Sequence, residues 1–129
     1  MFTKTNDSRH ETGQRAETFA AQYVERTLGW KIWKRNWRCK RGELDIVCLD
    51  RETLVFVEVR ARSTDRFGDV RGAVDVRKAK KIVRLATLLL QQWEATTTPS
   101  IRFDVILLAM CDLQVVKVHH VRGAFDALT

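Results

Sequence analysis

The chain has 129 residues, an apolar fraction of 45% and a formal net charge of +7. This length suits one domain with a core between a sheet and a few helices, and the apolar fraction excludes a disordered chain apart from a polar start. We therefore predict a flexible N-terminus over residues 1–12 and a single domain over residues 13–129. No segment is apolar for long enough to cross a bilayer, and the start lacks the apolar centre of a signal peptide, so no membrane partner is expected.

The cysteines and histidines argue against a disulfide framework or a zinc site. Three cysteines are an odd number, and no Cys-x-x-Cys pair occurs. We predict a reduced, cytoplasmic protein from this usage. His119 and His120 are adjacent, hence on opposite faces of a strand, and we interpret them as structural.

The first predicted helix covers residues 11–28, and Gly29 is its predicted C-terminal cap. Glu17 lies at the edge of the apolar stripe, since Ala20 and Val24 follow it at helical spacing. A salt bridge between Glu17 and an arginine would explain a glutamate at this edge as well as a functional role would. Together with other acids that point to the sheet, Glu17 is instead a candidate metal ligand.

A basic segment over residues 31–41 follows the helix. It contains no acid, and tryptophans are interleaved with its cations. Such a mixture suits phosphate neutralisation and base stacking, although we interpret at least two of the three tryptophans, Trp30, Trp33 and Trp37, as packing residues. The cations are Lys31, Lys34, Arg35, Arg38, Lys40 and Arg41.

Residues 42–62 carry the candidate chemistry. Two strands, predicted over residues 43–49 and 54–60, show period-2 patterning and many β-branched residues. One face of the pair is apolar. The other face mixes apolar residues with acids in rows that otherwise look buried.

The register of this hairpin decides which acids meet. A loop with an even number of residues places Val47 opposite Phe56 and Asp45 opposite Glu58, with Arg60 diagonal to Asp45. Opposed side chains have β-carbons about 4.5–5.5 Å apart, so two carboxylates repel unless a cation lies between them.

Two interpretations of this acid pair remain open. In the first, Arg60 neutralises Asp45 and Glu58 in an ion triad that binds nothing. In the second, the acids form a hard-cation site, because Mg²⁺ takes one or two carboxylates and keeps waters for a substrate phosphate.

A loop over residues 63–72, a candidate for contact with the substrate, leads to a long helix, capped by Asp75 and ending near Glu94. Its apolar stripe predicts burial against the sheet. The first half of this helix is basic, and cations near a helix N-terminus oppose the macrodipole at about 0.3–1 kcal/mol each. The placement favours a phosphate-binding ridge over a merely solvated face. The ridge contains Arg77, Lys78, Lys80, Lys81 and Arg84.

Two further strands complete the chain, over residues 101–109 and 113–119, after a linker at residues 96–100. The predicted order is α, β, β, β, α, β, β. We find neither an internal repeat nor a low-complexity segment.

Several short motifs along the chain resemble those of the YraN-like family of bacterial proteins. That family is similar to the PD-(D/E)XK nuclease superfamily and, within it, to the archaeal Holliday junction resolvases. The similarity spans nearly the whole chain from Gly13 to Phe125. The motifs are Gly13-x-x-x-Glu17, Asn36-Trp37-Arg38, Gly42-Glu-Leu-Asp45, Val55-Phe-Val-Glu-Val-Arg60, Arg66-Phe-Gly68, Arg77-Lys78 and Arg102-Phe-Asp-Val105.

The resemblance implies an α/β, restriction-endonuclease-like αβββαβ core, with a central mixed β-sheet flanked by helices. It also implies a phosphodiesterase site that binds Mg²⁺ or Mn²⁺ through Asp45, Glu58, the Val59 carbonyl and Glu17. Arg60 occupies the superfamily's lysine position. Because arginine stays charged, it cannot act as a general base, but it can stabilise charge on a phosphate. The expected catalytic residues are Asp45, Glu58, Arg60 and Glu17.

We therefore expect a metal-dependent endonuclease that hydrolyses phosphodiester bonds in branched or structured DNA. One alternative is a nucleic-acid-binding module that has the fold without the activity, and another is a partner-binding protein with an ion triad. A homodimer is expected only by analogy with resolvases. The expected nucleic-acid-binding residues are Lys34, Arg35, Arg38, Lys40, Arg41, Arg62, Arg66, Arg77, Lys78, Lys80, Lys81 and Arg84.

Overall fold

The computed structural model describes residues 6–64, 74–93 and 99–127. Within these ranges the helices and strands follow the predicted order, with a π-helical turn added after the first helix. The elements are α1 (Asn6–Gln22), the π turn (Tyr23–Thr27), β1 (Lys31–Cys39), β2 (Gly42–Asp50), β3 (Thr53–Ser63), α2 (Val76–Leu90), β4 (Ser100–Cys111) and β5 (Gln114–Phe125).

The first helix differs from its predicted bounds at both ends. It begins at Asn6, so the helix starts five residues before the predicted start at residue 11. The apolar stripe that predicts the helix starts only at Ala16, and none of residues 9–15 is buried. At the other end the Leu28 N–H donates to the Tyr23 carbonyl (3.1 Å), an i to i+5 bond of the π turn. Gly29 then ends the helix at φ +73°.

The five strands form one mixed sheet in the order β1-β2-β3-β4-β5. Only β3 and β4 are parallel, and α2 lies between them in the chain. Val47 lies opposite Phe56, which confirms the even register, and the Asp50–Thr53 pair leaves a two-residue loop. Arg51 in that loop has φ +57°, as two-residue hairpin turns require.

Helices cover both faces of this sheet, so β2, β3 and β4 contribute to two cores. This explains why their sequences are almost continuously apolar. The α1-side core includes Ala20, Val24, Ile46, Val57 and Ile106. The α2-side core includes Val47, Phe56, Ile82, Leu89 and Phe103.

The tryptophans of the basic segment pack in these cores. Trp30 is buried on the α1 side, whereas Trp33 and Trp37 pack on the α2 side. Trp33 meets Trp93 edge to face, with ring centroids 5.0 Å apart. The interpretation of at least two of them as packing residues is confirmed.

The later elements also differ in length from the prediction. Helix α2 ends at Leu90 rather than near Glu94, and β5 continues past His119 to Phe125. The strand continues because Gly123, at φ +59°, accommodates a register shift opposite β4. Most of the predicted 63–72 loop and the 96–98 part of the linker lie outside the described residues.

Two further expectations concern the thiols and membrane spans. Cys39, Cys48 and Cys111 are free. Burial raises the pKa of Cys48 to about 12, which makes it unsuitable as a nucleophile at neutral pH. In the parts of the chain that the structure describes, no helix is long and apolar enough to cross a membrane.

Candidate functional site

Four acidic side chains from three elements meet where the β2–β3 ladder ends. One carboxylate oxygen each of Glu17, Glu43 and Asp45 lies within 4.8 Å of the others. Glu58 is outside that triple, but it shares a side-chain hydrogen bond with Asp45 and is only 7% exposed. We call Glu17, Glu43, Asp45 and Glu58 the carboxylate cluster.

The cluster forms because main-chain pairing stops one residue short of its central acids. The β2–β3 pairs run from Asp50–Thr53 to Ile46–Val57. Beyond that point the Val59 N–H donates to Asp45 Oδ2 at 2.8 Å. The Asp45 side chain therefore takes the place of a strand partner for a partly buried N–H group, which fixes the position of its carboxylate.

Burial affects the pKa values of these carboxylates more strongly than the neighbouring cations do. Burial, followed by the charge of Asp45, raises the pKa of Glu58 to about 7, against the opposing effects of Lys78 and Arg60. Burial also raises the pKa of Asp45, although the Val59 N–H bond opposes this. The pKa of Glu17 is raised by burial and by Asp45 and Glu43. The protein therefore compensates the negative charge of the carboxylate cluster only in part, and a cation bound there would be stabilised by the remainder.

Basic residues from both sides border the cluster. Glu58 Oε2 lies 3.2 Å from Arg60 Nη2 and 3.7 Å from Lys78 Nζ of α2. Arg38 of β1 donates from Nε to Glu43 at 2.8 Å. Arg60 thus pairs with Glu58, as the ion-triad interpretation expects, but this pairing leaves the pKa values of both central acids raised.

The Arg60 side chain also has an unsatisfied donor. Its Nε is buried and has no hydrogen-bond partner among the described residues. Buried donors are rarely left unpaired in folded proteins, so each one calls for an explanation. Because this atom is inaccessible to solvent, a ligand acceptor would reach it only after the Arg60 side chain moves.

Gly42 brings the basic helix onto the start of β2. Its φ is +145°, and a β-carbon at this position would lie 2.9 Å from Lys81 Cε. Glycine therefore satisfies both the backbone conformation and the close approach of α2. The Gly42-Glu-Leu-Asp45 motif thus combines two cluster acids with the packing of the basic helix.

The predicted metal ligands are placed as follows. Asp45 and Glu58 are adjacent, and Glu17 reaches Asp45. Val59 supplies its N–H to Asp45, and a ligand role for its carbonyl stays a prediction. Sequence reasoning missed Glu43 as a ligand candidate, although its i, i+2 spacing from Asp45 was a usable signal.

The predicted nucleic-acid-binding residues fall into two groups around the cluster. Helix α2 presents the exposed side chains of Arg77, Lys80, Lys81 and Arg84, and β1 with its following turn presents exposed Arg35, Arg38, Lys40 and Arg41. Lys34 lies over the Trp33 ring, 5.6 Å from its centroid. Arg62 donates to the Ala61 carbonyl at 3.0 Å. Arg66 is outside the described residues.

A second buried acid, Asp104 of β4, has no counterpart in the sequence-based candidates. Arg102 donates to both of its oxygens at 2.9 and 3.1 Å, His120 lies 2.8 Å from it, and the Gly123 N–H donates at 3.0 Å. Burial by itself would raise the pKa of Asp104, but these hydrogen bonds lower it below its ordinary value. We call Arg102, Asp104 and His120 the Asp104 network. It gives His120 a structural role, as predicted.

Comparison with known proteins places the chain among bacterial relatives of matching length. The model of the "Uncharacterised protein family UPF0102" matches residues 16–108. A UPF0102 protein of Pseudomonas syringae pv. syringae (strain B728a) is 41% identical over 120 residues, which cover 93% of this chain and 97% of the relative. A UPF0102 protein of Mycolicibacterium vanbaalenii is 39% identical over 121 residues, covering 91% and 95%. The chain therefore belongs to family UPF0102.

Proposed function

We propose that this protein is a metal-dependent endonuclease with a restriction-endonuclease-like core that hydrolyses phosphodiester bonds in branched or structured DNA. The observation that carries the proposal is the convergence of Glu17, Glu43 and Asp45 to within 4.8 Å beside the buried Glu58. Four acids in one place repel one another, and a folded chain keeps such an arrangement when a cation or a proton resolves it.

The donor set fits Mg²⁺ or Mn²⁺. All the candidate side-chain donors are carboxylate oxygens, which hard divalent cations prefer. Asp45 would hold the ion together with Glu17, Glu43 or Glu58. When bound, such an ion supplies Lewis-acid polarisation of phosphate oxygens and acidification of the attacking water.

The chain's own residues have separate roles in this proposal. Asp45 is fixed by the Val59 N–H and so holds the cluster's geometry. Arg60 stays charged at all relevant pH values and cannot take a proton from water. Its side chain is 32% exposed, and its charged guanidinium suits it instead for donating to a phosphate oxygen as negative charge develops there.

The surrounding cations supply affinity for DNA in the same proposal. Those of β1 and α2 approach the cluster from two sides, through Arg38 at Glu43 and Lys78 at Glu58. Neutralising phosphates on either side of a scissile bond positions the strand without reading its sequence. Shape recognition of branched DNA is therefore favoured over recognition of a base sequence.

The direct test is cleavage of four-way-junction, flap and linear DNA by purified protein with Mg²⁺ or Mn²⁺, compared with EDTA. Asp45→Asn should reduce metal-dependent cleavage by on the order of 100-fold or more while preserving DNA affinity. Glu52→Gln is the matched control, because Glu52 is an exposed acid in the β2–β3 turn, remote from the cluster. This control should cleave like the wild type.

The alternative is a nucleic-acid-binding module without activity, which the Arg60–Glu58 ion pair favours because it partly neutralises the site. Wild-type protein that binds branched DNA but cuts no substrate under either metal would establish that alternative. Residual cleavage that Asp45→Asn leaves unchanged would indicate a contaminating nuclease and would count against the proposal.

A further inference from the structure

A cleft of about 540 Å³ opens between the start of α1, the end of β3 and the β4–β5 turn. Its lining includes Arg9 and Gly13 of α1, Arg62 of β3, and Met110 and Asp112 near the turn. We call it the Gly13 cleft. Its volume is in the range of sites that hold a small organic group, about 300–1,000 Å³.

The Gly13 cleft lies next to the carboxylate cluster along two elements. Gly13 precedes Glu17 by four residues of helix, about 6 Å. Arg62 follows Arg60 by two residues of strand, about 7 Å. A DNA strand whose phosphate lay at the cluster would therefore reach the cleft with a neighbouring nucleotide.

The lining offers the chemical groups that a nucleotide needs. Ala61 and Met110 give an apolar wall for the face of a base, and methionine sulfur makes favourable contacts with aromatic rings. The Arg62 guanidinium is held along this wall by its bond to the Ala61 carbonyl, and guanidinium planes stack on bases. Arg9 adds a cation for a phosphate, and Asp112 adds an acceptor for base amino groups.

Gly13 is the residue that keeps this space open. It lies inside α1, where glycine is the poorest helix former apart from proline. Neither a positive φ nor packing requires it, because a β-carbon built there meets nothing within 4 Å. A larger side chain would fit the helix and would project into the cleft.

We propose that the Gly13 cleft binds one unpaired nucleotide of the DNA strand, adjacent to the phosphodiester at the carboxylate cluster. The location of that phosphodiester rests on the proposed function. A base stacked inside a duplex cannot enter a cleft of this kind without being unpaired, and unpairing is cheapest at a flap, gap or branch. The cleft thus selects DNA that carries an unpaired nucleotide over continuous duplex.

The test compares two DNAs of equal length in EDTA, so that binding is separated from cleavage. One is a blunt duplex, and the other carries a single-stranded overhang with 2-aminopurine at its first unpaired position. Wild-type protein should bind the overhang DNA tighter by roughly 5-fold or more, the scale of one base-stacking contact, and should change the 2-aminopurine fluorescence.

Gly13→Leu should remove this preference and the fluorescence change while leaving duplex affinity unchanged. Gln14→Leu is the matched control, because Gln14 is exposed on another side of the same helix, and it should keep the preference. Thermal unfolding should show both variants folded. If Gly13→Leu fails to fold, exposed Arg9→Gln provides the second variant and should weaken the preference several-fold.

Equal wild-type affinity for the two DNAs, or an undiminished preference in folded Gly13→Leu or Arg9→Gln protein, would overturn the cleft assignment while metal-dependent cleavage stands. Conversely, a preference that depends on Gly13 without cleavage under any metal would support the cleft and remove only the nuclease. Wild-type protein that binds neither DNA would remove both.

Discussion

Glu58 and Asp104 are the two buried acids in the described residues, and their environments differ in kind. They are nearly side by side, because Glu58 pairs with Val105 and Val57 pairs with Asp104, yet they belong to opposite faces of the sheet. Asp104 receives four hydrogen-bonding contacts from Arg102, His120 and Gly123. Glu58 has two cations at 3.2 and 3.7 Å and another carboxyl group beside it.

The pKa values of the two acids express this difference. Hydrogen bonds lower the pKa of Asp104 despite its burial, whereas burial and Asp45 raise the pKa of Glu58 to about 7. A buried acid that is fully paired stabilises the fold and is unavailable for other chemistry. One that is under-compensated is a candidate for binding a cation or a proton. Burial alone therefore does not separate structural acids from candidate ligands.

The largest expected effect concerns stability at Asp104. Asp104→Asn should lower the free energy of unfolding by about 3–5 kcal/mol, because it breaks a buried pair and leaves Arg102 partly uncompensated. Asp45→Asn should change it much less, since it relieves repulsion within the cluster. Urea unfolding of both variants in EDTA at pH 7 measures the difference. Equal destabilisation of the two variants would erase the distinction between the two sites.

The pH dependence of the free energy of unfolding should distinguish Glu58 from Asp104, because the two acids contribute to it with opposite signs. The folded protein holds a proton on Glu58 that the unfolded chain releases at its ordinary pKa of 4.5. The stability that this proton provides is fully present below pH 4.5 and is lost as the pH rises through about 7. The free energy of unfolding changes by about 3 kcal/mol over this range. The Asp104 contribution has the opposite sign and is lost only as pH falls below its ordinary range.

The matched variant for this titration is Glu58→Gln, which should flatten the decline between pH 5 and 8 in EDTA. If the proposed function holds, Mg²⁺ should restore stability to the wild type at pH 8, because a ligand of the folded state alone stabilises that state. A wild-type curve that is already flat over this range would show that Glu58 ionises normally.

Substitutions of Arg102 and Arg60 test the same difference between the Asp104 network and the carboxylate cluster. Arg102 is bidentate on Asp104, so Arg102→Lys should destabilise the fold. Arg60 makes one close contact to Glu58, so Arg60→Lys should retain cleavage, whereas Arg60→Ala should reduce it by on the order of 100-fold. Cleavage rates and unfolding curves of all three variants are the measurements. If Arg60→Ala loses stability that Mg²⁺ restores and keeps its cleavage rate, Arg60 only neutralises the acids.

The smallest expected effect is on the salt dependence of DNA binding. Changing Lys80 and Arg84 on the exposed face of α2 to alanine should make the plot of log affinity against log salt less steep. The magnitude of its slope should fall by about 0.9 for each phosphate that is no longer neutralised. A matched double variant at exposed Arg26 and Arg51, which lie away from α2, should leave the slope unchanged. Identical slopes for the two double variants would assign the α2 cations to solubility alone.

Several parts of this fold and site could be predicted from the residues. Period-2 patterning and the even loop indicated the register that sets Asp45 near Glu58, and helical spacing set Glu17 toward the sheet. The bounds of α1 and β5 were missed, because polar turns at Asn6 and a bulge at Gly123 carry no apolar periodicity. The ends of such elements depend on the residues that the segment packs against. The local pattern of apolar residues does not contain that information.

The order of residues alone specified the element order, the apolar face and the mixed apolar and acidic face of the β2–β3 hairpin, and the acids and cations of the Gly42–Arg60 region. Helix packing on the sheet was needed to show that Glu43 joins Glu17 and Asp45, that Asp104 is fully paired, and that Gly13 borders an open cleft. Periodicity specifies which face of an element a side chain occupies. The distance between side chains on different elements, and hence the charge each one experiences, is fixed only when the helices pack on the sheet.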